Sequence, residues 1–192
     1  MTIFLILAPY GAFASLTLVT SAAVSLFAAA AICLAVIAFD VARGRSVKIL
    51  GAGSVIVFTA VGGYVALIEP ALSTSAVKFS VDVGIFLISL LSIVVRHPFV
   101  LQYALEAADA ETARQPGFLR ATYIITWAWT AAALLMMVGN IAMIYVPNLP
   151  LWSGLLIAFA ARNSAVYFTK WYPQYRKAKY GVPPANALPG TH

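Results

Sequence analysis

Residues 2 to 39 read TIFLILAPYGAFASLTLVTSAAVSLFAAAAICLAVIAF, an almost uninterrupted apolar run. As a single α-helix this run would be about 57 Å long at ~1.5 Å per residue. The hydrocarbon core of a bilayer is only ~30 Å thick. The run therefore predicts two membrane crossings with a turn between them, at LTLVTS, residues 16 to 21, where small hydroxyl residues gather. Pro9 and Gly11 are expected to kink or shorten the first crossing. The N-terminus lacks the basic segment of a cleavable signal peptide, so it is expected to remain as a membrane segment.

Composition agrees along the whole chain of 192 residues. It is 62% hydrophobic and 9% charged, against about 25% charged in a soluble domain. Such a chain cannot wet its own surface, which identifies an integral membrane protein. Its net charge of +6 lies at the ends of apolar segments. There it reads as topology signal and as contact with anionic headgroups of the phospholipid bilayer, and it points to no nucleic acid. The lone Cys33 can form no internal disulfide, and no metal or cofactor is implied.

Outward from the opening run, the spans fall at about 2–17, 21–40, 49–68, 77–95, 121–145 and 151–169. Residues 98 to 115, PFVLQYALEAADAETARQ, break the pattern. Leu101, Leu105 and Ala108 recur at helical spacing on one face, with Gln102, Glu106 and Asp109 on the other. This predicts an amphipathic interfacial helix, opened by Pro98 and ended by Pro116 and Gly117. The expected fold is an all-α polytopic transmembrane bundle of six spans plus that interfacial helix. It forms a single transmembrane domain over residues 1–172, followed by a tail over 173–192 whose last dozen residues are expected to be disordered. Arg43, Arg45, Lys48, Arg96, Arg114, Arg120, Lys170, Arg176, Lys177 and Lys179 fall on one side, and only Lys78 on the other. By the positive-inside rule both termini are cytoplasmic.

Charges inside spans are costly and suggest function. Asp82 lies in the fourth span, with Lys78 one turn earlier on the same face, so the two can pair. Arg162 lies in the sixth span and Asn140 in the fifth. Lys78, Asp82, Asn140 and Arg162 are candidates for one ligand or ion pocket in the outer half of the bundle. Two other readings of Arg162 stand beside this: snorkelling to the cytoplasmic headgroups, and a structural pair between the fourth and sixth helices. Arg96, His97, Gln102 and Glu106 gather at the cytoplasmic boundary. There His97 could carry protons, or the basic pair could simply mark the helix end. Trp152 on one side and Tyr167, Phe168, Trp171, Tyr172 and Tyr175 on the other are interface anchors. Trp127 and Trp129 lie deeper and are expected to pack. No catalytic motif is present: no HExxH, CxxC, P-loop or GxSxG.

The order of segments, with LAP in the first span, RHPFVLQYAL after the fourth and TWAWTAAALLMMVGNIAMIYV in the fifth, resembles the bacterial intracellular septation protein A (YciB-like) family of small inner-membrane proteins. The resemblance covers roughly residues 5 to 172 and is strongest at Arg96 to Pro98, around Trp127 and Trp129, and at Gly139-Asn140-Ile141. It implies a non-enzymatic protein of the bacterial inner membrane that acts in cell-envelope synthesis or septation through other membrane proteins. It supplies no catalytic residues. Small residues in the spans also allow a homo-oligomer. Two alternatives remain: a small transporter or channel using the polar pocket, and a lipid-modifying enzyme with Asp82, His97 or Glu106 as acid or base.

Overall fold

The hairpin expected from the opening run forms, as seen in a computed structural model that describes residues 3–146 and 148–180. Helix α1 (Ile3–Leu16) carries Pro9 within it, and α2 (Ala22–Ala42) begins where the Ser21 hydroxyl accepts the Val24 amide at 3.3 Å. A serine at this position satisfies one of the unpaired amides that open every helix. The chain continues through α3 (Ile49–Leu67), α4 (Thr74–Val94), α5 (Phe99–Ala107), α6 (Ala110–Arg114), α7 (Pro116–Tyr145) and α8 (Leu151–Tyr180). Among the described residues, α2, α3, α4 and the Gly117–Tyr145 part of α7 are long and apolar enough to cross a membrane. Over its described residues α1 has 14 residues, fewer than the ~20 a straight crossing uses. Helix α8 is long, but Arg162 and Asn163 interrupt its apolar run.

The outer surface shows why the chain belongs in lipid. Ile56, Leu91 and Phe159 are 69%, 61% and 68% exposed, and Trp127 is 51% exposed. The interior, by contrast, holds Ser25, Ser54, Ser89, Ser92, Thr122, Thr126 and Thr130, all buried. Thr126 and Thr130 donate to carbonyls one turn back, at 2.8 and 2.9 Å. Their hydroxyls are thus satisfied while their small side chains let α4 and α7 approach. In a bilayer the apolar effect does not sort residues inward, so close packing and satisfied polar groups do.

The long helices pack in chain order, α1 on α2, α2 on α3, α3 on α4, α4 on α7 and α7 on α8. Phe58 anchors one cluster, its ring 5.6 Å from that of Tyr10 and 5.7 Å from that of Phe13. Ala132, Ala133, Met136, Ala161 and Ala165 form a second between α7 and α8. A third joins Leu50, Phe99, Val100 and Ile125 at the end of the bundle where α5 lies.

Several boundaries differ from the expected ones. The interfacial stretch is two helices. Ala108 is extended at φ −91°, ψ 147°, because Asp109 starts α6 by accepting the Thr112 amide at 2.6 Å. That bond holds the exposed Asp109 carboxyl below the usual carboxylate range. Pro116 does end the preceding helix, with Gln115 extended at φ −65°, ψ 134° before it, and together with Gly117 it also opens α7, since proline is well suited to a first helical position. Helix α4 starts at Thr74, three residues before the expected Val77, capped by the Ser73 hydroxyl on the Ala76 amide at 3.2 Å. Helix α8 runs on through Pro173 to Tyr180, so the start of the expected tail is helical. The disorder expected of the last dozen residues lies outside the described residues.

The polar face of α5 is not left to water. Leu105, on the face expected to lie against the membrane, is 51% exposed on the outer surface. Gln102 and Glu106, expected to face water, point into the protein: Gln102 Oε1 accepts the Ile49 amide at 2.7 Å, and Glu106 pairs with Lys48. The reason is local. Helix α3 opens at Lys48, whose side chain supplies no cap, and buried helix ends need partners for their amides.

Candidate functional site

Three helices each give two turns of one face to a common space. On α4 these residues are Asp82, Ile85 and Ser89, on α7 Trp129, Ala133 and Met136, and on α8 Arg162 and Thr169. Spacings of three, four and seven keep residues on one side of a helix. The space they frame is therefore about 10 Å long at ~1.5 Å per residue. Helix α1 contributes Tyr10, and α5 closes the end with Phe99, Val100 and Tyr103. The resulting cavity has a volume of about 100 Å³ and is mostly apolar, with one acid and one base in its wall.

Asp82 Oδ2 accepts a hydrogen bond from Asn140 Nδ2 at 2.7 Å. Arg162 lines the same cavity as Asp82, yet it makes no salt bridge among the described residues. Lys78 lies outside the cavity lining and, among the described residues, does not form the expected pair with Asp82. An amide costs less to bury between two helices than an ammonium does, which favours Asn140 as the partner of Asp82. Of the four pocket candidates, Asp82 and Arg162 thus meet at the cavity and Asn140 braces the acid from α7, while Lys78, one turn from Asp82, lies outside the lining. Trp129 Nε1 donates to Thr169 Oγ1 at 2.9 Å, fixing α7 to α8 beside the cavity.

The boundary candidates separate as well. Arg96 and His97 are exposed, and His97 Nδ1 lies 2.9 Å from the Arg96 carbonyl oxygen. Arg96 adopts φ +60° at the sharp turn from α4 into α5. Gln102 and Glu106 instead tie α5 to α3. Lys48 is 3% exposed, paired with Glu106, and donates to the Ser46 carbonyl at 3.0 Å. The Phe99 amide donates to the buried Ser92 hydroxyl at 3.2 Å, which fixes the other end of α5.

A second cavity of about 30 Å³ lies beside the first, bounded by Tyr10, Cys33, Asp40, Lys48, Ser54 and Tyr103 among others. Tyr10, Leu50 and Tyr103 line both spaces. The Tyr10 hydroxyl is hydrogen-bonded to Ser54 Oγ, and Asp40 is 2% exposed beside Arg45 Nη1 at 3.3 Å. Burial pushes the Tyr103 phenol above its ordinary range, so it stays protonated. The sequence singles out none of Tyr10, Asp40, Lys48, Ser54 and Tyr103. The one available signal was a hydroxyl residue within a span at Tyr10 and Ser54. Asp40 and Lys48 look like ordinary loop charges.

Fold and site together define an α-helical membrane protein with a charged cavity inside its bundle. No family model, curated protein or solved structure matches the chain.

Proposed function

We propose that this chain is a non-enzymatic, six-crossing carrier that binds a small solute, apolar with one anionic end, in the cavity between α4, α7 and α8. The observation behind this reading is Arg162, a permanent cation in the wall of an otherwise apolar space and unpaired among the described residues. An apolar cavity of ~150 Å³ accommodates benzene, so the smaller space here suits a solute on the order of five heavy atoms. Helices α1 and α8 supply the two further crossings. Contacts near the basic residues support a single cytoplasmic end: Lys48 pairs with Glu106, and Arg176 Nη1 donates to the Gly117 carbonyl at 2.8 Å. The positive-inside rule then sets the orientation in a bacterial inner membrane. A part in envelope synthesis or septation, through protein partners, enters through the resemblance alone. Helix α5 supports the partner reading poorly, because its polar face is spent on α3.

The test uses methanesulfonate, a permanent anion of about five heavy atoms that crosses bilayers poorly. Purified protein in liposomes is expected to show saturable uptake of the labelled probe. Arg162→Gln should weaken binding about tenfold, the usual cost of losing a charge-assisted hydrogen bond. Ala133→Leu, which fills the cavity, should abolish binding while the protein remains folded. Uptake no greater than in protein-free liposomes, or unchanged in both variants, would rule the carrier out.

A further inference from the structure

The two cavities share walls, and polar groups run through both. At the basic end are Asp40 with Arg45 and Lys48 with Glu106. Next come Tyr103 and Tyr10, which line both spaces, with Tyr10 hydrogen-bonded to Ser54 in the lining of the smaller one. In the wall of the larger cavity stands Asp82, bonded to Asn140. Volumes of about 30 and 100 Å³ both exceed the ~10–15 Å³ that a water molecule needs. Each space is thus wide enough for water, and of the three residues that line both, Tyr10, Leu50 and Tyr103, two carry hydroxyl groups that can both give and take a hydrogen bond. Asp82 stands about 12 Å from the start of α4, and Lys78 lies one turn, about 6 Å, nearer that end.

We infer that this file of groups is a proton path, with the Asp82 carboxylate as its intramembrane proton carrier. A proton arriving through the Tyr103 and Tyr10 hydroxyls and intervening water forms an O–H bond at Asp82 as the O–H bond of the donor breaks. The same proton leaves to water on the α4 N-terminal side, so each transit restores the carboxylate. The charged and polar groups facing Asp82 are Lys78 from its own helix, Asn140 from α7 and Arg162 from α8, with Tyr10 from α1 and Tyr103 from α5 across the cavity. Helix α3 brings no ionisable group to it, its Tyr64 being exposed. The Arg162 guanidinium, in the same cavity wall, attracts the returning carboxylate.

This inference goes beyond the solute site and is separable from it. Protein in liposomes loaded with a pH-sensitive dye and with valinomycin and potassium for charge balance is given an acid jump, with and without methanesulfonate. Wild-type protein is expected to acidify the lumen faster than protein-free liposomes in at least one condition. Asp82→Asn should fall to the protein-free rate, Asp82→Glu should retain flux, and Tyr103→Phe should slow it. Circular dichroism and size-exclusion profiles of each variant check the fold. No acidification by wild type in either condition, or undiminished acidification by a folded Asp82→Asn, overturns the proton path. Failed methanesulfonate uptake with intact acidification would remove the carrier reading and leave this one standing.

Discussion

Replacing Gly84 by alanine is expected to cost about 2–3 kcal/mol, the range for forcing extra volume into a packed interior. A Cβ there would stand 2.5 and 2.6 Å from the two methyls of Val57 and 3.1 Å from its Cβ. A β-branched valine on a helix has essentially one rotamer and cannot swing aside. The contact is reciprocal. A Cβ on Gly53, one turn before Val57, would meet Ile88 Cδ1 at 2.6 Å, and Ile88 lies one turn after Gly84. Helices α3 and α4 therefore interlock through two large residues seated over two glycines. Unfolding in mixed micelles should show the loss, and adding Val57→Ala to Gly84→Ala should recover most of it. Gly63→Ala, where no atom lies within 4 Å of an added Cβ, is the control. Equal stability of Gly84→Ala and Gly63→Ala would disprove the interlock.

Glu106→Leu is expected to cost about 3 kcal/mol, as breaking a buried ion pair from one side does. Its asymmetry makes the prediction specific. The Lys48 side chain is 4% exposed and that of Glu106 22%. Losing the acid strands a buried ammonium with the Ser46 carbonyl at 3.0 Å and the Tyr103 ring at 6.0 Å, and no counter-charge among the described residues. Losing the base leaves a carboxylate that water can reach. Lys48→Met should therefore be the milder change, and Lys48→Met with Glu106→Leu should lie close to wild type. Limited proteolysis near α5 would read the same order, since the pair and Gln102 fasten that helix to α3. Equal damage from the two single changes would argue against the assignment.

These two sites differ in how far sequence could reach them. The glycines of the third span suggested close packing, because small residues in membrane helices admit a neighbouring backbone. Which neighbour fills them, Ile88 or another, depends on the register between helices. The polar face of α5 was legible as a face, since Gln102 and Glu106 are one turn apart. Its direction was not. Helical spacing groups residues, while the partner chooses the side, and the open end of α3 turned this face inward.

The charged cavity divides in the same way. Asp82, Asn140 and Arg162 stood out because charge and amide are rare in apolar spans. Tyr10, Ser54 and Tyr103 did not, being spread over three helices and unremarkable in each.

Sequence by itself determined that this is a helical membrane protein, where its chain turns, and which intramembrane charges are costly enough to matter. Hydrophobic length and the cost of burying charge are local properties, and a linear string records them. Only the tertiary structure decided that Asn140 and not Lys78 holds Asp82, that Arg162 faces a cavity, and that α5 closes it. Those outcomes depend on which helix faces meet, and that follows from packing among segments distant in the chain.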